Sequence, residues 1–124
     1  MEKLAQCSWV NIDGETPLFL ASRDNSTYAV HILLRHARIA INKGNKNMWT
    51  PLHIASQEGN TEIVRHLLNH SEIKPNRVNN EYHTALMIAS SKGSSEIVEL
   101  ILIHPKTDVN KIEVSDGGSR TGGS

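Results

Sequence analysis

The stretch TPLHIASQEGNTEIVRHLL at residues 50–68 decides the fold, because both of its halves return elsewhere in the chain. The opening hexapeptide recurs at a spacing of 34 residues, as TPLFLA at 16–21 and TALMIA at 84–89. A second block keeps the same spacing, as TYAVHILLRH at 27–36, TEIVRHLLNH at 61–70 and SEIVELILIH at 95–104. Two blocks in phase over three copies indicate a repeat protein.

The first block predicts a short helix with a defined start and end. Thr50 supplies an N-cap hydroxyl, and Pro51 occupies the first helical position, where a missing N–H costs nothing. Gly59 supplies the left-handed residue that ends such a helix, as Gly93 does in the third copy and Asn25 in the first. The predicted helix is therefore about two turns long.

The second block predicts an amphipathic helix. Its apolar residues share one stripe of a 3.6-residue period, namely Ile63, Val64, Leu67 and Leu68. Asn60 or Thr61 is expected to cap this helix with its side chain. One helix pair cannot bury its own apolar stripe, so the copies must stack side by side into an elongated solenoid.

These motifs resemble those of the ankyrin-repeat family: Thr-Pro-Leu-His-x-Ala, a glycine before the second helix, and Ile-Val-x-x-Leu-Leu within it. The resemblance implies an all-α solenoid of helix-turn-helix units joined by hairpin-like loops. It places one domain at 1–115, with repeats near 7–40, 41–74 and 75–108 and the start of a fourth at 109–115. The tail DGGSRTGGS at 116–124 has the composition of a flexible linker, natural or engineered.

Composition argues against several classes of partner and compartment. In 124 residues, 13 basic side chains balance 13 acidic ones, so no net charge favours nucleic acid or an anionic membrane. The N-terminus lacks the apolar core of a secretory signal, and no apolar run reaches the ~20 residues that span a bilayer. We therefore expect an intracellular protein, cytoplasmic or nuclear. Its one cysteine, Cys7, aligns with Ile41 and is expected to be a small buried apolar residue.

Histidines are the main candidates for chemistry, and their spacing favours structural roles. His36, His70 and His104 would stand ~10 Å apart on stacked helices, too far to share a zinc ion. Each is expected to cap the last carbonyls of its own helix. His66 and His70 have a zinc-binding spacing, but no Glu or Cys completes the set. With no catalytic motif present, we expect no enzyme activity, cofactor or metal.

The ankyrin resemblance implies that another protein binds a concave face, formed by the hairpin tips and the exposed side of each first helix. It places these residues there: Asp13, Glu15, Arg23, Asp24, Lys46, Asn47, Trp49, Gln57, Glu58, Glu81, Tyr82, His83, Ser91 and Lys92. Trp49 is the strongest candidate, because Glu15 and His83 take its place in the other copies and a core position would not tolerate them. Tyr82 and Met48 replace a glycine that is usual in the family.

Two further expectations concern the array as a whole. The repeats could instead be a structural spacer within a longer ankyrin array, with no binding role of their own. The last copy is rich in apolar side chains, whereas a solenoid usually ends in a repeat with a polar outer face. These side chains are Met87, Ile88, Ile101 and Ile103. A monomer is expected unless this last repeat self-associates. His53 has no histidine counterpart in the other copies, where Phe19 and Met87 take its position. A hydrogen bond from this side chain to the next repeat would therefore be made only once.

Overall fold

A computed structural model describes residues 10–110 as six short helices in three pairs. The helices are α1 (Pro17–Arg23), α2 (Thr27–Leu34), α3 (Pro51–Glu58), α4 (Thr61–Leu68), α5 (Ala85–Lys92) and α6 (Ser95–Ile103). First helices pack on first helices and second helices on second helices, so the pairs stack in a row. The predicted all-α solenoid is confirmed. The predictions for Cys7, for residues 111–115 and for the tail at 116–124 lie outside the described residues.

Helix starts and ends follow the sequence prediction. The hydroxyls of Thr16, Thr50 and Thr84 accept from the backbone N–H three residues ahead, at 3.0, 3.3 and 3.2 Å. Gly59 ends α3 with φ +75° and Gly93 ends α5 with φ +73°. Asn25 adopts φ +60° after α1, which confirms that it takes the place of the glycine.

The apolar stripe of α4 lies at the centre of the stack. Ile63, Val64 and Leu67 are fully buried, and Leu68 is nearly so. They pack into one continuous core that runs through all three repeats. The prediction that the last repeat exposes apolar side chains is only partly correct. Ile88 and Ile101 are buried, whereas Met87 is 43% and Ile103 is 71% exposed.

The predicted side-chain cap of α4 is wrong. Asn60 precedes α4, but its side chain makes no capping bond there. Its Nδ2 instead donates to the carbonyl of Ser22 at 2.7 Å, near the end of α1 in the first repeat. The last carbonyls of a helix lack partners within it, so a neighbouring amide that reaches one satisfies it and ties two repeats together.

The histidines at the ends of the second helices also differ from the prediction. Each Nδ1 accepts from the N–H two residues ahead, at 3.1 to 3.2 Å, in the pairs His36 with Arg38, His70 with Glu72 and His104 with Lys106. The imidazoles therefore hold the turn that follows the helix. The Nε2 of His104 donates to the carbonyl of Leu68 at 3.0 Å, which belongs to the preceding repeat. His104 therefore caps a terminal carbonyl of α4 in the preceding repeat, and not one of its own helix α6.

Candidate functional site

Three asparagines shape the hairpin tips, which are residues 11–15, 45–49 and 79–83. The Oδ1 atoms of Asn11, Asn45 and Asn79 each accept from the N–H groups two and four residues ahead, at 2.9 to 3.0 Å. Each side chain therefore closes its own loop. Sequence reasoning missed these residues, although their recurrence every 34 positions is visible in the chain.

Backbone hydrogen bonds join the tips into a continuous strip. The N–H of Lys46 donates to the carbonyl of Asp13 at 3.2 Å, and the N–H of Asn80 donates to the carbonyl of Asn47 at 3.0 Å. Met48 and Tyr82 adopt left-handed backbone, with φ +65° and +63°. Both stand where the family usually has glycine, so this conformation is retained although a side chain strains it.

Trp49 lies at the junction of a tip and a first helix. Its backbone N–H donates to Asn45, which fixes the residue just before the N-cap of α3. Its side chain is partly buried, and its ring centre lies 5.9 Å from that of His53 at an interplanar angle of 54°. The indole therefore packs at an angle against a buried imidazole and remains partly exposed.

The stacking brings six of the predicted partner-binding residues together around an open groove of about 330 Å³ between the second and third repeats. We call this the Trp49 groove; it is lined by Trp49, Gln57, Glu81, His83, Ser91 and Lys92, together with Met87 and Ile88. Met87 and Ile88 were not on the predicted surface. They belong to the motif TALMIA, where helical periodicity alone does not separate a core side from a groove side.

The other predicted residues lie outside this groove. Asp13 and Lys46 form an exposed ion pair at 4.0 Å across two tips, beside Asn47. Tyr82 is 63% exposed at the third tip. The remaining ones are Glu15, Arg23, Asp24 and Glu58, which surround the ends of α1 and α3.

Arg23 is the centre of that last group. Its Nε lies 3.1 Å from a carboxylate oxygen of Asp24, and its Nη1 lies 3.8 Å from Glu15. The hydrogen bond to Asp24 raises the pKa of Arg23, and the charges of Asp24, Glu15 and Glu58 raise it further. Three carboxylates thus act on a single guanidinium, two of them within 4 Å of it.

His53 is the buried polar residue beneath the groove. Its Nδ1 accepts from the N–H of Thr50 at 3.0 Å, and its Nε2 lies 3.0 Å from the carbonyl of His83. A carbonyl can only accept, so Nε2 carries the proton and the ring is neutral. Burial lowers the pKa of His53 to about 4. The predicted hydrogen bond to the neighbouring repeat is therefore present, and it holds the third tip against α3.

A larger cavity of about 490 Å³ lies away from the Trp49 groove, between the loops that follow α2 and α4. Lys43 and Arg77 take equivalent positions in the two loops, and Glu72 also lines the cavity. The Nε of Arg77 is buried there and has no hydrogen-bond partner. Sequence reasoning missed this cavity, because its two walls are separated by a whole repeat and meet only on stacking.

Two features of the described residues concern metal ligands and membrane-spanning helices. Within residues 10–110, no group of three or more His, Cys, Asp or Glu side chains could hold a metal ion. His66 instead makes a ring contact with His31 of the first repeat, with centres 5.6 Å apart. Over the same residues, every helix falls short of the length and apolarity that crossing a bilayer requires.

Comparison with known proteins agrees with this architecture. The family model described as ankyrin repeats (3 copies) matches residues 1–79 and 38–113, and the chain belongs to this family. Ankyrin repeats generally act as protein-interaction modules and are typically non-catalytic.

Among solved structures, the crystal structure of EF0377, an ankyrin repeat protein, superposes with a TM-score of 0.77 at 27% sequence identity. The match covers 89% of this chain and 57% of that one, so the chain spans little more than half of its length. In all, 344 solved chains match, which makes the fold too widespread to indicate a partner by itself. No curated protein matches significantly.

Proposed function

We propose that this chain is a protein-interaction module that binds another protein through its concave face, centred on the Trp49 groove. The observation that carries the proposal is the position of Trp49, a partly buried indole at the wall of an open groove shared by two repeats. Tryptophan in such a setting is a frequent binding hot spot, since one rigid side chain offers a large apolar surface. The compartment we propose is intracellular.

The surroundings of the groove suit a binding role. Asn45 holds the backbone of Trp49, and His53 fixes the opposite tip through the carbonyl of His83. The site is thus held in place before a partner arrives, which reduces the ordering cost of binding. The six side chains of the groove that come from the predicted surface are polar or aromatic, as is common in interfaces that form and dissociate.

Capture with matched variants tests the proposal. The wild-type chain, Trp49→Ala and Tyr28→Ala are immobilised and incubated with lysate, and retained proteins are quantified. Tyr28 is 75% exposed on α2, outside the proposed surface, so Tyr28→Ala controls for the loss of an exposed aromatic side chain. We expect a protein that the wild type and Tyr28→Ala retain and Trp49→Ala loses, with a cost of ~2 kcal/mol or more in affinity.

Thermal unfolding of the three chains completes the test. Trp49→Ala should melt close to the wild type, because its indole lies at the edge of the core. If it unfolds instead, Trp49 is a core residue and the surface is misassigned. If none of the chains retains a protein, the spacer function becomes the better interpretation.

A structural spacer is the second candidate, and the outer side of α6 favours it. Leu102 is 48% and Ile103 is 71% exposed there. Such residues suit packing against a further repeat. A spacer would retain no partner through the Trp49 groove.

A further inference from the structure

The concave face is not uniform in charge along the stack. At the first two repeats, Arg23 contacts Glu15 and Asp24, and the charge of Glu58 also acts on it. One guanidinium cannot balance three carboxylates, so two negative charges remain in excess. We call these four residues the acidic patch.

The opposite end of the face has no such excess. At the third repeat, Lys92 lines the Trp49 groove together with Glu81, and Glu81 lies 3.9 Å from His83. The apolar surface of the face lies in this same groove, which Trp49 and Met87 also line. The face therefore has an acidic patch at the first two repeats and, between the second and third, a groove with apolar surface and balanced charge.

The repeat geometry sets the distance between the acidic patch and the indole of Trp49. Glu15 and Trp49 occupy equivalent positions in neighbouring repeats. Packed helices lie 8–10 Å apart, so the acidic patch begins about 10 Å from the indole. An extended chain covers ~3.3–3.6 Å per residue, so about three residues of a bound segment would bridge that distance.

We propose that the Trp49 groove takes an extended segment of a partner protein that carries an apolar or aromatic anchor, with a lysine or arginine about three residues from it. The anchor packs on Trp49 and Met87, and the basic side chain lies over the acidic patch. The inference rests on the proposed function and adds the chemistry of the partner. An acidic segment would be repelled at the same place.

Selection from a displayed library of random peptides tests this chemistry on the whole chain. We expect enriched peptides to share an apolar anchor with Lys or Arg about three positions away. One synthetic peptide from the selection is then measured against Glu58→Lys and Glu99→Lys. Both glutamates are exposed, but Glu99 lies on α6, outside the acidic patch. Glu58→Lys should weaken binding roughly three- to tenfold, more at low salt, and Glu99→Lys should leave it unchanged.

The outcomes separate this inference from the function on which it rests. Peptides that lose binding with Trp49→Ala but show no basic preference would overturn the inference and leave the interaction module standing. Equal weakening by Glu58→Lys and Glu99→Lys would overturn it too, because the effect would then be one of net charge. Failure to select any peptide that depends on Trp49 would count against the proposed function itself.

Discussion

Acidification should destabilise this protein through His53. The side chain is 1% exposed and neutral, with both ring nitrogens hydrogen-bonded to the protein. Its pKa is about 4 in the folded chain, against 6.5 for an exposed imidazole. The unfolded chain therefore binds a proton that the folded chain rejects. The contribution of His53 to the free energy of unfolding is fully present above pH 6.5 and is lost progressively as the pH falls toward 4.

The size of the effect follows from the two pKa values. Between pH 7 and pH 5 the free energy of unfolding should fall by about 2 kcal/mol, and by pH 4 the loss should reach roughly 3 kcal/mol. Below pH 4 the folded chain also takes up the proton, so the loss from His53 levels off. Domains of this kind have only ~5–15 kcal/mol of stability, so the change is large enough to measure.

Urea unfolding followed by circular dichroism at several pH values measures the effect, with His53→Gln as the matched variant. Glutamine does not titrate, so this variant starts less stable but lacks the contribution of His53 to the pH dependence. Carboxylates titrate in both chains, and their effect cancels in the difference. The difference in free energy of unfolding between the wild type and His53→Gln should therefore shrink by about 3 kcal/mol between pH 7 and pH 4. A convergence below ~1 kcal/mol would refute the reasoning, since His53 would then accept a proton while folded.

Three further predictions concern stability and assembly. Leu67→Ala should cost about 2–5 kcal/mol in urea unfolding, because it opens a cavity in the buried stripe of α4; a cost below ~1 kcal/mol would contradict that core. Gly59→Ala should cost ~1 kcal/mol through its positive φ alone, since nothing lies within 4 Å of an added Cβ, and Gly93→Ala should match it; a clear difference between the two would point to an unseen contact. Exposed Leu102 and Ile103 on α6 should promote weak self-association in sedimentation experiments, which Ile103→Lys should reduce; a wild-type chain that stays monomeric at high concentration would argue against it.

Local sequence determined the helices and the repeat. Thr50 and Pro51 start α3, Gly59 ends it, and the apolar stripe of α4 needs a neighbour to cover it, so each feature could be predicted from adjacent residues. The polar and charged positions of the predicted face could be assigned only by resemblance to the family.

Tertiary structure decided which side chains meet between repeats. Asn60 is a sound N-cap by residue type, yet it bonds Ser22, and His104 caps the helix of its neighbour through Leu68. The Trp49 groove also combines side chains that lie a whole repeat apart in the chain. The 34-residue period predicts that the repeats stack. The distance and rotation between neighbouring repeats then determine which carbonyl a given side-chain amide can reach. Those two quantities result from packing of the whole core, and no short segment of the sequence carries them.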